Sequence, residues 1–267
     1  MTTVLYTGAS GRMASSIRET LEGAFDDVRL FSRSAPEQLF AREEFVRGDL
    51  ADADAVRRAC EGVDVIVHFA GMADESSFDQ ILTANIVGTH TLFEAAREAG
   101  VRRIVFASSN HVTGFYPSTE TIDVHAAPRP DSYYGVSKVF GEALGRLYHD
   151  KWGMEVVSLR IGIFRPEPSD VRQLALWLSP RDGAELVRCA VTAPDVGYVT
   201  VLGVSANTRS FWDNADAART IGFVARDNAE DHAATIDLTH DLPRFQGGLY
   251  TDPDYEGGSW VPKGERS

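Results

Sequence analysis

Short apolar runs alternate with helical periodicities from Val4 to Ile161, and this alternation restricts the chain to a parallel sheet with helices on both faces. Val4-Leu5-Tyr6 stops at Thr7-Gly8, after which Met13, Ile17 and Leu21 recur at spacings of four. Val28 to Phe31 and Phe45-Val46 predict the next two strands. Asp52 is placed to cap a helix through Cys60 that buries Val56. Val63 to Ala70 is almost continuously apolar, as expected of a strand covered on both faces. Phe78 to Ala99 predicts one long helix with Ile81, Ile86, Leu92 and Phe93 inside. Arg103 to Ala107, a helix over Ser132 to Trp152, and Glu155 to Ile161 complete the alternation.

Beyond Gly162 the elements become short and mixed: a helix near Pro180 to Ala193, a strand at Val199 to Gly203 and a helix near Trp212 to Ile221. The expected fold is α/β: a Rossmann-type doubly wound parallel sheet over 1–162, with a small C-terminal substrate-binding lobe and tail over 163–267. That lobe is not expected to be an independent domain. Parallel sheets of this kind bind ligands at the carboxyl ends of their strands. The chemistry-bearing residues all fall there.

Gly8 and Gly11 lie between the first strand and the first helix, with Arg12 and Met13 opening that helix. Glycines there allow a tight turn and close backbone approach to a pyrophosphate, which the helix N-terminus attracts. Asp49-Leu50 is placed to meet an adenine ring or, equally, to start the next helix. At the end of the second strand stand Ser32 and Arg33. Ser32 can hydrogen-bond a ribose; Arg33 can accept a 2′-phosphate or be a solvated loop charge. NAD is the expected cofactor, with NADP not excluded.

Tyr134 and Lys138 lie four residues apart, on one face of the expected helix. A free phenol titrates near pH 10, and a nearby ammonium favours the phenolate. Ser109 ends the fifth strand, where its hydroxyl can orient a reacting oxygen or cap the loop that follows. That loop, Ser109 to Asp131, is long enough to suggest function.

The glycine turn, Asp49-Leu50, Ala70-Gly71, Asn85 in A-N-I-V-G-T, Ser109 and Y-G-V-S-K at 134–138 together resemble the extended short-chain dehydrogenase/reductase family over residues 1–165. S-S-N-H at 108–111, R-I-G at 160–162, P-E-P at 166–168, Arg172, W-D-N at 212–214, D-N-A-E at 227–230 and R-F-Q-G-G at 244–248 resemble its uronate-oxidising group over nearly the whole chain. The resemblance implies oxidation of D-glucuronate or D-galacturonate at C1 to the aldarolactone, with NAD as acceptor. It implies a Ser109-Tyr134-Lys138 triad, with Asn85 supporting the helix. Phe69, Ala70, Gly71 and Phe164 would meet the cofactor. Ala73, Asn110, His111, Ile163, Arg172 and Phe245 would meet the sugar.

Arg172 suits bidentate carboxylate binding, the alternative being a surface partner for Asp170. His111 can equally be structural, and Phe245 a core aromatic. Three residues depart from the family pattern: Ser32 replaces an acid, Ile163 a small polar residue and Ala73 a serine.

A formal net charge of −13 repels phosphate backbones and argues against nucleic acid. It fits a well-solvated enzyme, with adaptation to high salt as the alternative. No apolar stretch is long enough to span a membrane, and the N-terminus lacks the basic region of a signal peptide. Two isolated cysteines, Cys60 and Cys189, suggest neither disulfide nor metal site, so a reducing cytoplasm is the default. The resemblance implies a small uronate as substrate, and a homo-oligomer is expected. A sugar-nucleotide epimerase or dehydratase would need a larger C-terminal lobe, and a hexose-6-phosphate dehydrogenase more positive charge than Arg172 supplies. A non-enzymatic sensor would not need the triad.

Overall fold

In the computed structural model, residues 2–258 are described; Met1 and residues 259–267, the end of the expected C-terminal tail, lie outside the described residues. Strands β1 (Thr3–Thr7), β2 (Asp27–Ser32), β3 (Glu43–Arg47), β4 (Val65–His68), β5 (Arg103–Ser109), β6 (Glu155–Ile161) and β9 (Tyr198–Gly203) form one sheet. Its order is β3-β2-β1-β4-β5-β6-β9, every pairing parallel. The order reverses between β1 and β4, so the cleft opens at the carboxyl ends of these two strands.

Helices α2 (Ala53–Cys60), α3 (Phe78–Ile81), α4 (Gly88–Glu98) and α5 (Tyr133–Trp152) come from the crossovers between strands. Val56, Leu92 and Phe93 pack with Leu5, Ile66 and Ile104 on one face of the sheet. On the other face, Ile17 of α1 (Arg12–Thr20) and Leu186 and Val187 of α7 (Pro180–Thr192) pack with Val4, Val65 and Val157. Residues beyond 162 therefore supply a strand and a helix to the main layers. Two further strands, β7 (Ile163–Phe164) and β8 (Trp177–Leu178), pair beside the site, joined through α6 (Gln173–Leu176). The helix near Trp212 is shorter than expected, α8 (Ala215–Ile221), because Trp212 is buried against Ile122 and Leu202 instead.

The expected single helix over 78–99 is interrupted by a π-helical segment, Leu82–Val87. Its wider turn changes which residues face inward. Asn85 is buried and Ile86 only half-buried, which corrects the expectation for Ile86. No helix among the described residues is long and apolar enough to cross a membrane.

His68 ends β4 between two hydroxyls, Thr7 Oγ1 at 2.7 Å from Nδ1 and Thr89 Oγ1 at 3.3 Å from Nε2. Burial, helped by the Lys138 charge, pushes its imidazole down to about 3 from 6.5. The folded state thus excludes a proton that the unfolded chain binds below pH 6.5. Stability from this group is complete above that value and is lost as pH falls toward about 3, at about 1.4 kcal/mol per pH unit. His68→Gln should flatten the fall in urea-unfolding stability between about pH 6 and pH 5, where carboxylates contribute little. An unchanged slope would mean that His68 is charged in the fold.

Candidate active site

β1 runs directly into Gly8, whose φ of +68° is strained for any side chain. Its N–H donates to Phe31 O at 2.9 Å and its carbonyl accepts from Gly11 N–H at 2.9 Å, so the turn is fixed against the end of β2. Helix α1 begins with no side-chain cap and no acidic residue in its first turn. Gly11, Arg12, Met13 and Ala14 line the cleft, so the uncapped N–H groups and the positive end of the helix dipole are available to a pyrophosphate. The residues present therefore fit a dinucleotide.

The cleft is about 2240 Å³, and every residue expected at the site lines it. The lining is not uniform in kind. Arg33 and Asp49 are exposed, and Asp49 Oδ1 accepts from its own Ala51 N–H at 3.0 Å. Ser32 is buried and donates its hydroxyl proton to Ser34 O at 2.7 Å. Ile163 is paired with Trp177 in the β7–β8 ladder, which limits its backbone as well as its side chain.

At the centre, β5 delivers Ser109 and α5 delivers Tyr134 and Lys138. Two caps hold the start of α5. Ser132 Oγ accepts from Gly135 N–H at 3.0 Å, and the Glu75 carboxylate accepts from Tyr133 and Tyr134 N–H at 3.1 and 2.7 Å. A Cβ on Gly135 would lie 2.4 Å from His111 O, so only glycine lets the helix come this close to the turn that follows β5. Ser109 Oγ accepts from His111 N–H at 3.2 Å, the loop-capping alternative open to it at the strand end. Ser108 instead donates to Glu142 Oε1 at 2.6 Å. Glu142 is also gripped by Arg160 through two 2.9 Å bonds, a buried pair beneath the strand end.

Burial pushes the Tyr134 phenol up to about 12, Asp74 and Asp131 push in the same direction, and a hydrogen bond with Ser109 opposes them. Burial lowers the Lys138 ammonium to about 8. Its Nζ donates to Ala107 O at 2.9 Å and lies 5.4 Å from the Tyr134 ring centre. With one acceptor, Ala107 O, among the described residues for its three N–H bonds, this ammonium keeps donors for a ligand.

Several groups around this centre carry no sequence signature. Asp131 Oδ2 lies 2.8 Å from His111 Nδ1 and fixes that ring. Tyr250 stacks on the other side of His111, with centroids 3.6 Å apart, and its hydroxyl bonds Asp74. The ring that meets His111 from the tail is thus Tyr250. Phe245 is half-buried, bridged to Pro117 and edge-on to Phe115 at 5.5 Å. Asn110 is buried, and its Nδ2 has no partner among the described residues.

Arg172 does not pair with Asp170, which instead caps α6 through Gln173 at 2.9 and 2.7 Å. The Arg172 Nε donates to Gln246 O at 2.7 Å, and its buried Nη2 has no partner among the described residues. Gln246 is itself fixed, accepting from Trp212 Nε1 at 3.1 Å and donating to Pro117 O and Glu120 O. No group of three or more His, Cys, Asp or Glu suited to a metal occurs among the described residues.

A Rossmann sheet that brings a Tyr-x-x-x-Lys pair to a strand-end serine, beside an uncapped glycine turn, defines a dinucleotide-dependent enzyme of the short-chain dehydrogenase type. The profile of the NAD dependent epimerase/dehydratase family matches residues 4–237, and the chain belongs to that family. It is 44% identical to uronate dehydrogenase of Pseudomonas syringae pv. tomato over 98% of this chain and 94% of that protein. It superposes on a variant of uronate dehydrogenase from Agrobacterium tumefaciens complexed with NAD, with a TM-score of 0.89 and 42% identity, covering 96% and 99% of the two chains. It is also 37% identical to an NAD-dependent glucose-6-phosphate dehydrogenase of Haloferax volcanii, over 85% of this chain and 94% of that one.

Asn85 links this site to the π segment. Its Oδ1 accepts from Met72 N–H at 2.7 Å, and its Nδ2 donates to Met72 O at 3.1 Å and Ser137 Oγ at 3.0 Å. Asn85→Ala leaves those partners unsatisfied and should lower unfolding free energy by about 2–3 kcal/mol in urea titration. A loss under about 0.5 kcal/mol would show that this bridge does not hold α5 in place.

Proposed function

We propose that the chain oxidises a hexuronate, D-glucuronate or D-galacturonate, at C1 to the aldarolactone, with NAD as hydride acceptor. A uronate in its ring form is a cyclic hemiacetal bearing a carboxylate. Tyr134 removes the anomeric O–H proton, and the electrons of that bond form the lactone C=O as C1 loses hydride. Bound NAD would supply the hydride acceptor, and its positive nicotinamide charge would favour the Tyr134 phenolate. Ser109 orients the reacting oxygen through the same phenol. Lys138 keeps most of its charge at neutral pH and would hold ribose hydroxyls with the donors left over from Ala107 O.

The observation that carries the uronate reading is the half-open guanidinium of Arg172: Nε fixed, Nη2 buried and without a partner among the described residues, in the cleft that holds Tyr134. A buried donor without a partner is costly, and a substrate carboxylate supplies one. Asn110 Nδ2 and the His111 ring, oriented by Asp131, face sugar hydroxyls from the β5 side. Ala73, Ile163 and Phe245 make up the apolar part of the sugar pocket. At the other end Gly8, Gly11, Arg12 and Met13 take the pyrophosphate; Ser32, Arg33, Asp49 and Leu50 surround the adenosine; and Phe69, Ala70, Gly71 and Phe164 flank the remainder of the dinucleotide.

Residues 1–162 would carry the dinucleotide contacts other than Phe164, together with Ala73, Ser109, Asn110, His111 and Tyr134, and 163–267 would add Ile163, Arg172 and Phe245 to the substrate pocket. We place the protein in the cytoplasm, where its buried thiols Cys60 and Cys189 stay reduced. Phe78, Leu82, Tyr133 and Val136 are exposed, with Phe78 and Tyr133 edge-on at 5.4 Å, which favours a homo-oligomer through the α3–α5 face.

Arg172→Ala tests the reading. KM for glucuronate should rise about tenfold or more, while NAD affinity by titration stays within about twofold. Glucose 6-phosphate serves as the comparison substrate. An unchanged uronate KM, or faster turnover of the sugar phosphate than of either uronate, would contradict the assignment.

A further inference from the structure

We propose that the carboxyl end of β2 is a 2′-phosphate site, so that the chain takes NADP as well as NAD. The inference rests on the dinucleotide site proposed above and concerns only its adenosine end. Rossmann folds that select NAD place an acid at the end of the second strand, where it binds the ribose hydroxyls and repels a 2′-phosphate. Here the segment 32–36 reads Ser-Arg-Ser-Ala-Pro and contains no acid.

The backbone brings this segment to the glycine turn. Gly8 N–H donates to Phe31 O at 2.9 Å, and Ser34 Oγ donates to Ser10 Oγ at 3.2 Å. Ser10, Arg12, Ser32, Arg33 and Ser34 all line the same end of the cleft. Arg33 is exposed and makes no ion pair among the described residues, whereas its neighbours Arg18, Arg29, Arg42 and Arg57 each meet a carboxylate. A second exposed guanidinium, Arg47, stands in register with Ser32 on β3. The acid nearest in sequence on the cleft side, Asp49, follows β3 rather than β2 and engages its own Ala51 N–H.

A phosphate dianion at this point meets a guanidinium that can bind it through two N–H bonds and the hydroxyls of Ser10 and Ser34. Arg33 has no ion-pair partner among the described residues that the phosphate would have to displace. A ribose 2′-hydroxyl is accepted by the same groups, with Ser32 as its nearest hydroxyl at the strand end. The site therefore lacks the element that would reject NADP.

Calorimetric titration with 5′-AMP and 2′,5′-ADP isolates this end from the sugar site and from turnover. We expect 2′,5′-ADP to bind no more weakly than 5′-AMP. Arg33→Ala should weaken 2′,5′-ADP about tenfold more than it weakens 5′-AMP. Ser32→Asp should weaken 2′,5′-ADP far more than it weakens 5′-AMP. Wild-type binding of 2′,5′-ADP about tenfold weaker than 5′-AMP, or an Arg33→Ala effect equal on both nucleotides, would overturn the proposal. Absence of binding by both 5′-AMP and NAD would instead remove the dinucleotide site on which it stands.

Discussion

The close approach of α5 to the carboxyl end of β5 sets the position of every reacting group in the cleft. Helix and strand meet where a glycine at 135 leaves room for His111 O, and where Ser132 and Glu75 satisfy the first N–H groups of the helix. Without that contact, Tyr134 and Lys138 would share a helix face with nothing opposite. With it, they face the Ser109 hydroxyl at the strand end and the glycine turn of β1 across the switch point of the sheet. A rigid helix therefore presents the phenol and the ammonium to the cleft, and turns and loops around them supply much of the remaining lining.

Buried polar networks hold this arrangement, and each has an external anchor. Glu142 ties Ser108 to Arg160 beneath β5 and β6. Asp131 orients His111, while Tyr250 closes on the ring from the C-terminal segment. Gln246 fixes Arg172 from a backbone carbonyl and is fixed in turn by Trp212. The residues near 245–250 thus belong to the site because they satisfy donors and acceptors that the sheet domain leaves open. Two buried donors that line the cleft, Asn110 Nδ2 and Arg172 Nη2, have no partner among the described residues. A network with these two gaps has the chemistry of a pocket for hydroxyls and a carboxylate.

Much of this was legible in the chain because it depends on local rules. Asp52 caps α2 as its position before an apolar period requires, with Asp54 and Ala55 N–H at 3.1 and 3.0 Å. The four-residue spacing of Tyr134 and Lys138 needs only helical geometry to put them together. The π segment was not legible, since one extra residue per turn leaves no compositional mark and is stabilised by distant partners at Met72 and Ser137. Tyr250, Asp131 and Gln246 were missed for the same reason. Their roles come from contacts across 20 to 176 positions of sequence, where no periodicity applies. Strand β9 follows the chain's own alternation, and its value to the sheet emerges only from pairing with β6.

Transfer of label from C1 tests the central claim most directly. Glucuronate carrying deuterium at C1 is mixed with the protein and NAD, and the reduced dinucleotide and the sugar are weighed by mass spectrometry. Reduced dinucleotide one mass unit heavy, formed together with unlabelled lactone and absent with Tyr134→Phe, is the outcome expected if the phenol takes the anomeric proton as C1 gives up hydride. Deuterium retained in the sugar, with the dinucleotide unlabelled, would place the chemistry at another carbon and contradict the account.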